Sequence, residues 1–135
     1  MIELLTDVNW WAVLVGAVVY FILGGLWYSV IFSSKWVELR EIKVEDIEPP
    51  HPIIFVWTFF LQFIAVSTLA VFYAATPIDG ALQGTLAGFG AGAGLVFTLT
   101  GTNGFFYNTK LGLHLIDNGY HVVGLMLSGL VLGWW

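Results

Sequence analysis

The sequence predicts an all-α membrane protein, a bundle of four transmembrane helices in a single domain of residues 1–135. Of the 135 residues, 59% are hydrophobic and only 10% are charged, and the mean hydropathy is +0.88. A soluble domain carries roughly 25% charged residues, because its surface must meet water. Four long apolar runs divide the chain, and the basic residues are confined to two of the connections between them. Lipid must therefore cover most of the exterior.

The first apolar run covers residues 8–32 and contains no charged side chain. At about 1.5 Å per residue, a helix of this length crosses the roughly 30 Å of a bilayer's hydrocarbon core. The residues before it lack a basic start and a small-residue cleavage site. We therefore expect no cleaved signal peptide.

Residues 33–52 hold most of the charge and are predicted to form a loop, with one interfacial turn of helix around Trp36. The second span is predicted at 53–75 and the third at 81–100, with a tight Pro- and Gly-containing turn between them. The fourth span is predicted at 113–135. Its start is placed near Leu113 because the uncharged part after Asn118 is short for a crossing.

The orientation follows from the basic residues, which lie in the first and third connections: Lys35, Arg40, Lys43 and Lys110. With four spans these two connections share a side, and the positive-inside rule assigns that side to the cytoplasm. Both termini are then non-cytoplasmic. The expected location is the bacterial cytoplasmic membrane.

Small residues spaced by four give the third span a face that another helix can approach closely. The glycines on this face are Gly80, Gly84, Gly88 and Gly92. The first span offers a comparable stripe in Ala12, Gly16 and Gly24. Packing against the first or fourth helix of the same chain is the simpler interpretation, and a subunit interface is the alternative.

Polar residues step by three and four along the fourth span, which places them on one face of a helix. They are His114, Asp117, His121, Gly124 and Ser128. One interpretation is structural: Asp117 or Asn118 caps the helix and the histidines bond to neighbours at the interface. A second is a proton or ion pathway, since ionisable groups at membrane depth are costly and point inward. The third is a metal site, which would need further ligands.

Two other polar residues belong to spans. Asn9 begins the first span and is expected to cap it, and Gln62 in the second must find an interhelical hydrogen bond. The spans contain no phosphate loop, nucleophile elbow or paired carboxylates, so we expect no catalytic residue, no enzyme activity and no cofactor. The chain has no Cys, and its net charge of −5 argues against nucleic acid as a partner.

Two segments of the chain resemble the DUF1761 family of small membrane proteins. The first comprises Asn9-Trp10-Trp11-Ala12-Val13-Leu14-Val15, Leu23-Gly24-Gly25-Leu26-Trp27-Tyr28-Ser29 and Phe32 with Lys35-Trp36; the second is Leu115-Ile116-Asp117-Asn118-Gly119-Tyr120-His121 with Gly129 and Trp134. The resemblance implies a four-helix membrane protein and no particular activity. The polar residues that match are Asn9, Asp117, Tyr120 and His121. His114 and the glycine face lie outside the matching segments.

Three functional hypotheses remain open at this stage. The first is a homo-oligomeric transporter or channel for a proton, ion or small solute, because four spans alone hardly enclose an aqueous path. The second is an accessory subunit that docks a larger membrane complex through its glycine-rich third helix. The third is a membrane metalloenzyme built on His114, Asp117 and His121. The expected partners are the lipid bilayer and further copies of the chain or another membrane protein.

Overall fold

The computed structural model describes residues 2–77 and 79–135, and all regular structure in that part of the chain is helical. Four of these helices are long and apolar enough to cross a membrane: span 1 (Trp10–Ile31), span 2 (Pro52–Ala74), span 3 (Ala81–Phe106) and span 4 (Leu111–Trp134). The predicted fold class, a bundle of four membrane-spanning helices, is confirmed. A short helix, α1 (Ile2–Asp7), precedes span 1 and was not expected from the sequence.

Spans 3 and 4 are longer than predicted. Span 3 continues to Phe106 instead of ending at residue 100. Its threonines stay helical by bonding back to their own helix, and the Thr102 hydroxyl, for example, donates to the Thr98 carbonyl at 3.1 Å. The helix stops only before Asn108, whose φ of 51° is left-handed. Span 4 begins at Leu111, before the predicted start at residue 113.

The connection at 33–52 contains more structure than the predicted single turn. The third helix of the chain, counting α1 and span 1 as the first two, is α3 (Ser33–Arg40). It follows span 1 directly and ends at Glu41, which has a left-handed φ of 57°. The Arg40 guanidinium lies 4.7 Å from the centre of the Trp36 ring. A short 3-10 turn follows at Val44–Asp46 before span 2. The length of α3 matters because it carries Trp36 to span 4.

Span 4 lies between spans 1 and 3, and span 1 in turn lies between spans 4 and 2. The core at the junction of spans 1, 2 and 4 is apolar and tightly packed, with Val13, Ala17 and Val66 fully buried. Spans 2 and 3 touch each other little, although they are consecutive in the sequence. Span 4 is therefore the element around which the bundle is organised.

The first and third connections meet at one end of the bundle. The Lys110 ammonium donates to a Glu41 carboxylate oxygen at 2.6 Å, and this hydrogen bond lowers the pKa of the exposed Glu41 carboxyl. The start of span 1 and the ends of spans 2 and 4 border one cavity at the other end, lined by Asn9, Tyr73 and Trp135 among others. The two connections that carry the basic residues thus share an end, as the sequence predicted.

The glycine face of span 3 packs against span 4 of the same chain. A Cβ added at Gly84 would meet the Gly129 carbonyl oxygen, one at Gly88 would meet the Leu125 carbonyl oxygen, and one at Gly92 would lie 2.7 Å from the Val122 Cα. Such backbone-to-backbone contact is possible only without side chains. Of the two intramolecular partners considered for the glycine face, the first and the fourth helix, the structure shows the fourth.

The remaining glycines of the predicted set also face neighbours within the chain. Gly80 has a φ of 100°, which favours glycine. A Cβ at Gly16 would lie 3.2 Å from the Val66 side chain and 3.5 Å from Ser128, and one at Gly24 would lie 2.9 Å from the Tyr120 hydroxyl. The small residues of span 1 therefore make room for spans 2 and 4.

Candidate functional site

A wide turn of helix at the end of span 1 positions the first side chains of the site. Residues Trp27–Ile31 form a π-helix, and the Phe32 N–H bonds to the Trp27 carbonyl at 2.9 Å, five residues back. Such turns are rare and often occur at functional sites. Here the turn directs two neighbouring aromatic residues to span 4: the Trp27 indole N–H donates to the Ile116 carbonyl at 3.0 Å, and Tyr28 reaches Asp117.

Asp117 is held by donors from two other elements. Its Oδ1 atom accepts a hydrogen bond from the Tyr28 hydroxyl at 3.0 Å and one from the Trp36 indole N–H at 3.1 Å. Span 1, helix α3 and span 4 therefore converge on a single carboxylate oxygen. The predicted capping role for Asp117 or Asn118 is wrong, because the helix begins earlier, at Leu111, and both residues lie beyond its first turn.

His121 lies one turn further along span 4 and bonds to span 1. Its Nδ1 atom is 2.6 Å from the hydroxyl of Tyr20, whose side chain is buried. The His121 ring also lies against Tyr120, with 4.8 Å between ring centres. The His121 imidazole is thus held by a hydrogen bond with the Tyr20 hydroxyl and by contact with the Tyr120 ring.

Gln62 brings span 2 into the same network. Its side-chain amide N–H donates to the Tyr120 hydroxyl, so the interhelical hydrogen bond expected for Gln62 is confirmed. The amide oxygen is buried and finds no partner in the described part of the chain. A buried polar group stabilises a bundle only when it is bonded, so the hydrogen bond to Tyr120 fixes the position of the Gln62 amide.

These residues form one connected cluster, which we call the polar core. The three tyrosine rings lie close together, with centres 5.3 Å apart for Tyr20 and Tyr120 and 5.6 Å apart for Tyr28 and Tyr120. At 1.5 Å per residue, Asp117 lies about 9 Å and His121 about 15 Å from the start of span 4. The members of the polar core are Tyr20, Trp27, Tyr28, Trp36, Gln62, Asp117, Tyr120 and His121.

His114 does not join the polar core. It faces span 3, where its ring centre lies 4.7 Å from that of Phe97, and it bonds to the buried Asn118 amide at 2.7 Å. The single polar face predicted for span 4 is divided, because span 4 is sandwiched between two helices and its polar residues turn to both. Within residues 2–77 and 79–135, no three His, Asp or Glu side chains come together as metal ligands.

The other predicted residues have packing or capping roles. Asn9 caps span 1, as expected: its Oδ1 accepts from the backbone N–H of Trp11 at 3.1 Å and of Ala12 at 3.2 Å. It lies at the end of the bundle away from Asp117. Ser128 donates to the carbonyls of Gly16 at 3.1 Å and Gly124 at 2.9 Å, so it ties spans 1 and 4 together.

Sequence reasoning missed the aromatic partners of the site. In a sequence, Trp27, Tyr28 and Trp36 are typical of aromatic residues at a membrane boundary, and no pattern singles out Tyr20. Their roles depend on contacts across about ninety residues of chain, as in the Trp27 bond to Ile116, and periodicity within one helix cannot show these. The signal that could have found them is the pair of segments resembling one family, since the structure brings those two segments together.

Comparison with known proteins gives one match. The family described as "Protein of unknown function (DUF1761)" matches over residues 11–133, nearly the whole chain. The match includes every residue of the polar core. No curated protein and no solved structure matches the chain.

Proposed function

Because the chain belongs to the DUF1761 family, whose function is unknown, we propose a role from its polar core: a small membrane transport protein. It would be a channel or carrier for a proton, an ion or a small solute, with Asp117 and His121 exchanging protons. The observation that supports the proposal is that a carboxylate and an imidazole, one turn apart inside a membrane bundle, both bond to phenols of span 1. The proposal involves no catalytic residue and no cofactor.

The chemistry of Asp117 favours a role beyond holding the helices together. Its task in the bundle is to accept two hydrogen bonds, from Tyr28 and Trp36. A neutral Asn could accept both without the penalty for placing a charge at membrane depth, which makes ionisable residues in spans rare and commonly functional. An exchangeable proton gives the carboxylate a reason to be there. The groups facing it from the packed elements are the Tyr28 phenol and, behind the Trp36 ring, the Arg40 guanidinium.

The depth of the two residues suggests a path that enters from one end. Asp117 lies near the end that carries the first and third connections, and His121 lies close to the middle of the 24-residue span 4. Beyond His121, the junction of spans 1, 2 and 4 is filled by fully buried Val13, Ala17 and Val66. A path through one chain would stop there. We therefore propose a homo-oligomer in which further copies supply the rest of the route.

The orientation of the path follows from the basic residues of the two connections at the Asp117 end. The positive-inside rule places that end in the cytoplasm and both termini on the other side. We propose that the protein resides in this orientation in a bacterial cytoplasmic membrane. Protons would then reach Asp117 from the cytoplasm, and His121 lies one helical turn deeper in the same span.

The test is proton flux into proteoliposomes under an imposed potential, followed with an enclosed pH-sensitive dye. We expect Asp117→Asn and His121→Ala each to lower the flux at least tenfold. The matched control is Asp46→Asn, which removes an exposed carboxylate at the same end of the bundle. Helical circular dichroism must be unchanged in all three variants. Wild-type flux equal to that of protein-free vesicles, or equal flux in wild type and both core variants, would contradict the proposal.

The second candidate function is that of an accessory subunit. One observation supports it, although the docking face differs from the glycine face expected from the sequence. The Gly84 and Gly88 face is already covered by span 4, but a Cβ added at Gly90 or Gly94 meets no described atom within 4 Å. A partner helix would dock on that open side of span 3. Native mass measurement of the purified protein separates the two candidates: copies of one chain support transport, whereas a stoichiometric foreign membrane protein supports the accessory role.

A further inference from the structure

A second cavity lies apart from the polar core, between the last turns of span 3 and the first turns of span 4. Its volume is about 360 Å³, within the range of about 300–1,000 Å³ typical of small-molecule sites. Phe97 and Phe105 form apolar walls, and His114 lies at its base. Gly101 creates the space above the imidazole, since a Cβ there would lie 3.2 Å from the His114 Nε2 atom.

The hydrogen bonds of His114 fix which of its ring nitrogens carries the proton. The Asn118 side-chain nitrogen is 3.1 Å from the His114 carbonyl oxygen and 2.7 Å from the His114 Nδ1 atom. A carbonyl oxygen only accepts, so the amide must present its NH₂ group, and Nδ1 must therefore be an acceptor as well. The proton of the neutral imidazole is then on Nε2. The His114 imidazole, which lines the cavity, therefore offers an N–H donor on the side next to Gly101.

The surroundings of this donor favour a ligand head group that is an oxygen acceptor with negative charge. Of the described residues that line the cavity, none is acidic. The Thr98 and Thr102 hydroxyls donate to carbonyls of their own helix, so their protons are already used within span 3. Leu111, which also lines the cavity, is the first residue of span 4, and the start of a helix carries partial positive charge.

The position of the cavity gives it access from the bilayer. Phe105 is 84% exposed and Leu111 69% exposed on the outer surface of the bundle, which lipid covers. His114 lies only about 4.5 Å from the start of span 4, at the depth where lipid head groups end and acyl chains begin. A molecule that enters sideways would therefore place its polar end near His114 and its hydrocarbon between the phenylalanines.

We propose that this cavity binds a single-chain amphiphile with a carboxylate head group. The carboxylate accepts a hydrogen bond from His114 Nε2, and the hydrocarbon chain packs between Phe97 and Phe105. The proposal is independent of the transport role, because none of these residues belongs to the polar core. A free carboxylic acid and the acyl chain of a phospholipid share the hydrocarbon part, and only the acid provides the small charged head.

The test uses a decanoate carrying a photoreactive diazirine, with protein in nanodiscs and peptide mapping after illumination. We expect labelling at the end of span 3 and the start of span 4. Unlabelled decanoate should compete, whereas a short-chain phosphatidylcholine should not. Equal competition by both would assign the cavity to lipid acyl chains and overturn the proposal, as would labelling spread evenly over the spans.

Two variants test the geometry independently. Gly101→Leu fills the cavity, and His114→Phe keeps a ring against Phe97 but removes the N–H donor. His114→Phe should weaken decanoate binding about tenfold, the loss expected for one hydrogen bond to a charged group. Gly101→Leu should weaken it at least as much, because its side chain occupies the cavity. Gly94→Leu is the matched control, because it adds the same side chain to the same span where a Cβ meets open space. Should Gly101→Leu fail to fold, unchanged decanoate binding in His114→Phe would still overturn the proposal.

Discussion

The two sides of span 4 are built in different ways. Toward span 3 the helices touch backbone to backbone, with Gly84 against Gly129 and Gly88 against Leu125. Toward span 1 they are held by side-chain hydrogen bonds, such as those of Asp117 and His121. Lipid offers no hydrophobic drive for helices to associate, so close packing and polar bonding are the two means available. This bundle uses one on each side of the same helix.

The comparison suggests a division of tasks. The contacts of Gly84, Gly88 and Gly92 with span 4 are made by backbone atoms, so they depend only on shape and cannot change state. The polar side contains groups whose protons can exchange, among them the Asp117 carboxyl and the His121 imidazole, both bonded to phenols of span 1. We therefore assign rigidity to the glycine contacts with span 3 and proton exchange to the span 1 side.

The largest effect is expected for Gly88→Leu, which breaks the glycine side. The new side chain would collide with the Leu125 carbonyl, and spans 3 and 4 would have to separate. We expect a loss of about 3 kcal/mol or more in the free energy of unfolding, at the upper end for overpacking. Unfolding by denaturing detergent in mixed micelles measures it. Gly94→Leu, with the same added volume on the open side, should change stability little; equal losses would refute the assignment of the packed face.

The second effect concerns the polar side. Tyr120→Phe retains the ring but removes the hydroxyl that accepts from Gln62, and so leaves a buried amide without any partner. We expect it to lower the free energy of unfolding by about 1–3 kcal/mol, the usual penalty for a buried unsatisfied group. Adding Gln62→Leu should recover part of this loss, because nothing polar is then left unpaired. A double variant whose loss equals the sum of the single losses would show that the two residues do not interact.

The same division explains how far the sequence could predict the structure. The fold class and the glycine face were predictable because composition and a spacing of four are properties of one segment. The C-terminal end of span 3 was not, since Thr98 and Thr102 satisfy their hydroxyls within the helix, which continues past Asn103. The partners of Asp117 could not be predicted either. Tyr28 and Trp36 reach it only because of the π-helical turn and α3, and the hydropathy pattern indicates neither of these two elements.

The third prediction concerns Asp117, whose replacement by Asn should change the free energy of unfolding little and the proton flux strongly. Asp117→Asn retains an oxygen that can accept from both Tyr28 and Trp36, so we expect a stability change of less than about 1 kcal/mol. Asp117→Leu leaves both donors unpaired and should cost about 2 kcal/mol or more. Thermal unfolding in nanodiscs compares the two variants. If Asp117→Asn destabilises the protein as much as Asp117→Leu does, the negative charge itself holds the helices together, and the separation of function from rigidity fails for this residue.

The smallest effect on stability is expected for the exposed ion pair between Lys110 and Glu41, at the end of α3. Lys110, at the start of span 4, donates to Glu41, at the end of α3, and this bond lowers the pKa of the Glu41 carboxyl. A lowered pKa stabilises the folded state above the carboxyl's ordinary pKa, and that contribution is lost as the pH falls through the folded value. Lys110→Gln should therefore raise the Glu41 pKa to its ordinary value, as measured by carbon NMR of a labelled sample. Because an exposed ion pair contributes little, the Trp36 indole N–H signal should be unchanged. A shift of that signal on losing Lys110 would mean that the surface ion pair, and not the Asp117 hydrogen bond, holds α3 against span 4.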